Sequence, residues 1–372
     1  MKIVVTGAAG FLGWHLRLRL SALTDHEVVP VTRRNWSSLP GLVGDADAII
    51  HLAGINRAKR DSDVEEGNIR LANDVSQAIA SAGRPLRVVM AGTVQTKRDN
   101  PYGRGKLAAQ EIIATATSAS GGVFVDVCLP NLFGEHGKPR YNSFVATFVD
   151  AVIRGGVPEI RDSSVELLHA QDAAHALIAG LSQTETPLRP TGQDVGVKDV
   201  WELLQDFHTT YSPSGEFPDL SSEFRIQLFN TYRAALFPDH YPIVLVPHSD
   251  PRGSFVETIR SRGGEGQSSF STTVSDVTRG EHYHLKKIER FAVVKGNARI
   301  SLRKKFSSDV VDFYVTGEKP VAIDMPVGWV HNITNIGDEI LLTQFWSHEL
   351  FNPNDPDTFA ESVRLNGKDF VQ

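Results

Sequence analysis

Two sets of residues in this 372-residue chain have the types and spacing to do chemistry. The first is the run Tyr102-Gly103-Arg104-Gly105-Lys106, a Tyr-x-x-x-Lys pair that a helix would place on one face. A nearby ammonium stabilises tyrosinate, so the pair predicts a phenol of lowered pKa. Tyr102 would then hand a proton to a carbonyl oxygen as hydride arrives at the carbon. Thr93, after Ala91-Gly92, would hydrogen-bond the same carbonyl and help orient the phenol. The second set is His282-Tyr283-His284 followed by Glu289 and, later, by His331. On a strand the side-chain period of two points His282 and His284 the same way, and Glu289 with His331 would complete a metal pocket. Three imidazoles and a carboxylate suit Zn²⁺, Fe²⁺, Mn²⁺, Ni²⁺ or Cu²⁺ alike, with Zn²⁺ the leading candidate.

A hydride donor needs its own site, and the N-terminus offers one. Thr6-Gly7-Ala8-Ala9-Gly10-Phe11-Leu12-Gly13 follows an apolar strand and opens a helix. Gly7 permits the tight turn, Gly10 the close approach of a pyrophosphate, and Gly13 close helix–strand packing. The N–H groups at the helix start would face the phosphates, helped by the helix dipole. The second strand ends Val31-Thr32-Arg33-Arg34, where a dinucleotide site for NAD usually has an acidic residue. Two arginines would instead neutralise a 2′-phosphate, which points to NADP(H).

The elements that must position these residues are legible as hydrophobic patterns. Ile3–Val5, Val28–Val31, Ala48–Leu52, Val88–Ala91 and Val123–Leu129 are short apolar runs, separated by helical stretches such as Leu12–Leu23 and Ile69–Ser81. That alternation predicts an α/β fold, a Rossmann-type doubly wound parallel sheet. Residues 182–241 hold expected helices (Val197–Phe207, Glu223–Phe237) and are read as the end of this domain and its substrate-side cap. From Pro242 onward, short β-branched runs separated by Gly, Asn and Asp predict an all-β barrel. The expected domains are 1–243 and 244–372.

Composition narrows the class. Hydrophobic residues are 41%, charged residues 22% and the formal net charge is −6, so nothing electrostatic favours nucleic acid as a partner. The basic cluster Arg57, Lys59 and Arg60 is read as a solvated face. The one cysteine, Cys128, lies between Val127 and Leu129 and is read as a core filler in a chain suited to a reducing compartment. No signal-peptide pattern and no long apolar run appear, so the expected location is the cytoplasm, with no membrane partner.

TGAAGFLG, His51-Leu52-Ala53-Gly54 and YGRGK resemble the extended short-chain dehydrogenase/reductase family. The resemblance implies NADP(H) contacts from Phe11, Leu12, Leu52, Ala53 and Gly54, and from Tyr102 and Lys106. That family often has Ser where this chain has Thr93. The second half, with HxH-x4-E-x6-G and PxG-x2-H-x3-N, resembles the cupin family. DNPYGRGK, LPNLFGEHGKPRYNSFVATF, TRGEHYHLKKIERFAV and FWSHELFNPNDPDTF together resemble the CapF-type family of bifunctional nucleotide-sugar enzymes of capsular polysaccharide and O-antigen synthesis. What this implies is a sequence of two reactions. The cupin half would epimerise C3 of a UDP-2-acetamido-2,6-dideoxy-4-hexulose, whose C4 ketone acidifies the C3 proton. The reductase half would then reduce that ketone with NADPH, giving a UDP-N-acetyl-6-deoxy-L-talosamine-type sugar. Asn131, Tyr141, Asn142 and Ser143 would line the sugar site, Arg279, Lys286 and Lys287 could attract the diphosphate, and the enzyme would be a homodimer. Two alternatives stay open: a reductase whose barrel is only a dimerisation module, and a non-catalytic NADP-sensing regulator.

Overall fold

The computed structural model describes residues 1–365, in two compact units. One comprises Met1–Thr147 and Asp162–Val197; the other comprises Phe148–Arg161 and the chain from Lys198 onward.

The first unit alternates strand and helix: β1 (Lys2–Thr6), α1 (Phe11–Leu23), β2 (Glu27–Val31), α2 (Leu39–Gly44), β3 (Ala48–His51), α3 (Asp61–Ala82), β4 (Arg87–Thr93), α4 (Pro101–Ala119) and β5 (Val123–Leu129). The five strands form one parallel sheet in the order β2-β1-β3-β4-β5. Each strand has an apolar middle because both faces of the sheet are covered, with Asp126 of β5 the charged exception inside it. Ile3 and Val5 join Leu16 and Leu20 of α1 in one core, whereas Val4 joins Val75 and Ile79 of α3 and Ile113 of α4 in the other. The direction of winding reverses between β1 and β3, which opens a crevice at the carboxyl ends of the strands. The cofactor and catalytic segments expected from sequence all leave the sheet at those ends.

The chain continues through β6 (Asn131–Phe133), α5 (Phe144–Ile153), β7 (Ser164–His169), α6 (Ala170–Ala179) and β8 (Gln193–Gly196), with β6, β7 and β8 forming a small sheet. Cys128 is buried at 6% exposure, as a core filler should be.

The second unit contains α7 (Val197–Tyr211), β9 (Phe217–Asp219) and α8 (Glu223–Leu236), followed by β10 (Ile243–Val244), β11 (Pro247–Asp250), β12 (Gly253–Val256), β13 (Ser261–Gly263), β14 (Gln267–Thr273), β15 (Thr278–Tyr283), β16 (Glu289–Lys295), β17 (Asn297–Lys304), β18 (Val310–Thr316), β19 (Val321–Met325), β20 (Trp329–Asn335), β21 (Leu341–Ser347) and β22 (Phe359–Ala360). Two five-stranded sheets, β10-β19-β16-β21-β14 and β18-β17-β20-β15-β22, make the expected all-β fold. The compact unit does not begin at the expected boundary of 243/244. Of residues 182–241, read from sequence as the end of the first domain and its cap, those from 198 onward pack with the barrel instead. Tyr211 donates to the buried Asp324 carboxylate, the Arg233 guanidinium donates to the carbonyl of Met325, Asn230 donates to that of Lys286, and β9 pairs with β13. Helical periodicity shows that α7 and α8 have an apolar face but not which neighbour covers it. No helix among the described residues is long and apolar enough to cross a membrane.

Candidate functional site

The nucleotide end of the first unit is built on Thr6. Its Oγ1 accepts from the backbone N–H of Leu52 at 3.2 Å and of Ala53 at 3.3 Å, and lies 2.8 Å from Nδ1 of His51. Since the Leu52 N–H is shared with the backbone carbonyl of Thr6, the hydroxyl is free to donate to Nδ1 of a His51 protonated on Nε2. Burial and the Lys106 charge hold His51 down to about 3, so it stays neutral. This network draws Leu52-Ala53-Gly54 over the glycine turn. Gly7 has φ of +71°, and a Cβ there would lie 2.8 Å from the nitrogen of Ala53. A Cβ on Gly13 would lie 2.8 Å from Cα of Ala8. Gly10 is the N-cap of α1 with no side-chain cap and no acidic residue in the first turn, so the N–H groups of Phe11, Leu12 and Gly13 are available to an anion. Arg33 and Arg34 stand just past β2, exposed and in no ion pair among the described residues.

Thr93 is the last residue of β4, buried, and its Oγ1 accepts from the N–H of Gln95 at 3.2 Å, leaving its own hydrogen to donate. Helix α4 starts where Asn100 caps it, Oδ1 accepting from the N–H of Gly103 at 2.8 Å, with Pro101 at the first position. Tyr102 is thereby fixed in the first turn and Lys106 in the next. The Lys106 ammonium donates to the carbonyl of Ala91 at 2.7 Å.

The ionisation differs from the sequence expectation. Burial, and then Tyr141, push the Tyr102 phenol up to about 12 rather than down. Burial also lowers Lys106, to about 8, against the opposing charge of Asp126. Exclusion of water is the largest cause for both groups, and Tyr141 adds to it at Tyr102. A neutral phenol is still the form that the expected role of Tyr102 requires, since it would give a proton away. Tyr141 is close enough to influence Tyr102, which brings the expected sugar-binding loop to the reaction centre. In that loop Ser143 accepts from the N–H of Ala146 at 3.3 Å, starting α5; Asn131 donates to the carbonyl of Glu166 at 3.3 Å; and Asn142 is exposed.

Sequence reading passed over Asp126. It sits mid-strand in β5, 4% exposed, with Oδ1 unbonded and its pKa pushed by burial up to about 6. Any side chain at Gly92 would strike its carboxylate. A charged residue inside the apolar run VFVDVCL was the available signal. Asn68 was also missed. It pins the segment after Gly54 by accepting from the N–H of Ile55 at 3.1 Å and donating to its carbonyl at 2.9 Å.

In the second unit the four expected metal residues converge. His282 and His284 come from β15 and its end, Glu289 from the start of β16, and His331 from β20, where it pairs with His282. A bulge between Gly280 and His282, with φ of +96° at Gly280 and +61° at Glu281, re-aims the strand just before the first histidine. Glu289 Oε2 lies 3.1 Å from Nε2 of His331, 3.2 Å from that of His284 and 3.9 Å from that of His282. Nδ1 of His331 lies 3.0 Å from the carbonyl of Trp329, which can only accept, so Nδ1 carries the hydrogen and Nε2 is a bare lone pair. Burial lowers His331 to about 4, which keeps it neutral. A lone pair facing a carboxylate oxygen at 3.1 Å is repulsive unless a cation lies between them, so this donor set fits a divalent metal. His284 and His331 are buried, while His282 and Glu289 keep 21% and 17% side-chain exposure, so the open side of the cluster is theirs. Phe291 packs edge-on to His331 and to Phe345, giving the pocket an apolar wall.

The expected diphosphate contacts fare less well. Lys287 is buried and donates to the carbonyl of Pro356 at 2.6 Å, and Lys286 is paired with Asp355 and Glu349. Only Arg279 of the three remains without a partner among the described residues.

Comparison with known proteins agrees with this layout. Residues 3–191 match the NAD dependent epimerase/dehydratase family, and residues 248–359 match the polysaccharide biosynthesis C-terminal domain. The chain is 35% identical over 370 residues to the UDP-2-acetamido-2,6-beta-L-arabino-hexul-4-ose reductase of Pseudomonas aeruginosa, covering 98% of this chain and 99% of that one. Among solved structures, the capsular polysaccharide assembling protein CapF of Staphylococcus aureus matches with a TM-score of 0.60 and 30% identity, over 98% of this chain and all of that one. A UDP-N-acetylglucosamine 4-epimerase of Methanobrevibacter ruminantium shares the fold at 15% identity and a TM-score of 0.54, over 63% of this chain and 98% of that one.

Proposed function

The chain belongs to the NAD dependent epimerase/dehydratase family, in the CapF-type form that carries a polysaccharide biosynthesis C-terminal domain, and from that premise we propose a bifunctional nucleotide-sugar enzyme. The second unit inverts C3 of a UDP-2-acetamido-2,6-dideoxy-4-hexulose. The first unit reduces the C4 ketone with NADPH, giving a UDP-N-acetyl-6-deoxy-L-talosamine-type sugar. The name of the Pseudomonas relative supports the reductase assignment. The observation that carries the second activity is the convergence of three imidazole nitrogens on Glu289 in a pocket with one open side.

In the reductase, the Gly7–Gly13 turn and the start of α1 bind the pyrophosphate, and Arg33 with Arg34 select the 2′-phosphate of NADPH. NADPH, when bound, supplies the hydride. Thr93 donates to the ketone oxygen and Tyr102 gives it a proton, held in place by Lys106 and the cap at Asn100. Tyr141 brings the sugar loop against Tyr102. In the barrel, His282, His284, Glu289 and His331 hold a divalent cation, Zn²⁺ by preference. The cation, when bound, supplies Lewis-acid polarisation of the ketone oxygen, which lowers the barrier to losing the C3 proton. The Phe291 wall keeps water from one side of the pocket.

The barrel also supports a homodimer. β14 is an edge strand exposed along most of its length, with Phe270 at 74% exposure, and the β11–β12 hairpin presents Phe255 at 65%. An unpaired strand edge is a template for pairing with another chain, and Phe270 and Phe255 are the apolar side chains such a partner would cover.

The test is NMR of the product after incubation with the UDP-4-keto sugar in D₂O. Deuterium at C3 without NADPH, and a C4 alcohol only with it, is the expected result. Reduction without any exchange at C3 would leave the barrel a structural module.

A further inference from the structure

The closing motif FWSHELFNPNDPDTF has no part in either reaction as described above. In the structure its residues 355–357 lie along the loop that joins His284 to Glu289. Asp357 is 3% exposed with φ of +42°, in the left-handed region that Asp enters more readily than most non-glycine residues. Its carboxylate accepts from three successive backbone N–H groups: Leu285 at 2.9 Å, Lys286 at 2.9 Å and Lys287 at 2.8 Å. These are the first three residues after His284. The carbonyl of the same Asp357 accepts from Nδ1 of His284. Lys287 ties down Pro356, Lys286 ties down Asp355, and β22 then pairs with β15, setting Ala360 opposite His282.

A carbonyl oxygen can only accept, so this contact puts a hydrogen of His284 on Nδ1 and leaves Nε2, 3.2 Å from Glu289, as the nitrogen that would ligate a metal once it carries no proton. Outer partners of this kind fix the tautomer and ring orientation of a metal-ligating histidine. Capping three amides would not by itself require the carbonyl of the same residue to face the imidazole. We propose that Asp357 is the positioning residue of the barrel's metal centre: its side chain anchors the loop and its carbonyl holds His284 in the ligating tautomer. The inference rests on the metal reading of the His282–His284–Glu289–His331 cluster.

The test uses the full chain stripped of metal and titrated with Zn²⁺ against a chromophoric chelator. Asp357→Asn and Asp357→Ala are each expected to bind Zn²⁺ about 10–100-fold more weakly than wild type. The visible spectrum of the Co²⁺-loaded protein should shift at the same time, a signature that loss of stability alone would not produce. Lys287→Met keeps the aliphatic stem and removes only the bond to Pro356; it should weaken Zn²⁺ binding in the same direction by less. If the Asp357 variants fail to fold, the Lys287→Met titration decides. Wild-type affinity and an unchanged Co²⁺ spectrum in folded variants overturn the positioning role while leaving the metal reading intact. A wild-type chain that binds no divalent ion overturns the metal reading, and the role of Asp357 with it.

Discussion

Lys106 lies with its ammonium nitrogen 2.7 Å from the carbonyl oxygen of Ala91, two residues before Thr93 on the same strand. The bond locks the second turn of α4 to the end of β4. It sets the phenol of Tyr102 and the hydroxyl of Thr93 in a fixed relation before any ligand arrives, and such pre-organisation is where much of the catalytic advantage comes from.

Removing the proposed proton donor should separate the two proposed activities. Tyr102→Phe is expected to lower kcat for NADPH-dependent ketone reduction by about 10²–10⁴-fold, the usual worth of a positioned general acid. Deuterium exchange at C3, followed by NMR, should be unchanged. Comparable losses in both assays would refute the division of labour.

The alkaline limb of reduction should report Lys106. Tyr102 stays protonated to about 12, whereas Lys106 is cationic only below about 8. Activity is therefore expected to fall as pH rises through about 8. Asp126 opposes the lowering of Lys106, so Asp126→Asn should take the lysine lower still and move that limb to lower pH. A pH–rate profile of the variant that superimposes on wild type would rule out the coupling.

Gly13→Ala should damage cofactor binding. The added methyl meets Gly7 and Ala8 backbone atoms, which cannot yield as a flexible side chain would. Overpacking of this kind costs about 1–3 kcal/mol, so NADPH should bind roughly 10–100-fold more weakly by fluorescence titration. Unchanged affinity would mean the turn is looser than its contacts indicate.

Cofactor preference should follow the two arginines after β2. The double variant Arg33→Ala, Arg34→Ala is expected to lose about 1.5–3 kcal/mol of binding to the 2′-phosphate, with NADH affinity nearly unaffected. The ratio of kcat/KM for the two cofactors measures this. A ratio that stays at the wild-type value would assign both side chains to plain surface charge.

Glu289→Gln removes the carboxylate on which the three histidines converge. Loss of Zn²⁺ affinity should exceed the roughly 10–100-fold typical of losing an outer partner. C3 exchange should disappear while NADPH binding persists, and a chelator should reproduce the exchange result in the wild type. Persistent exchange in metal-free protein would separate the barrel's chemistry from the cluster.

Local pattern sufficed wherever one residue's neighbours in sequence are also its neighbours in space. The glycine turn after β1, the Tyr102–Lys106 helical pair and the two same-facing histidines of β15 are all set by backbone period, so their spacing alone announced them. The alternation of strand and helix, and then of short strands and turns, fixed both fold types for the same reason. What only the tertiary structure decided involves distance along the chain and burial. Periodicity shows an apolar face on α7 and α8 but not its partner, so it could not reveal that they pack with the barrel. The ionisation of Tyr102 depends on how far water is excluded, which no spacing encodes. Asp126, and Asp357 some seventy residues beyond His284, became meaningful only when folding placed one carboxylate beside Lys106 and the other beneath the loop that joins His284 to Glu289.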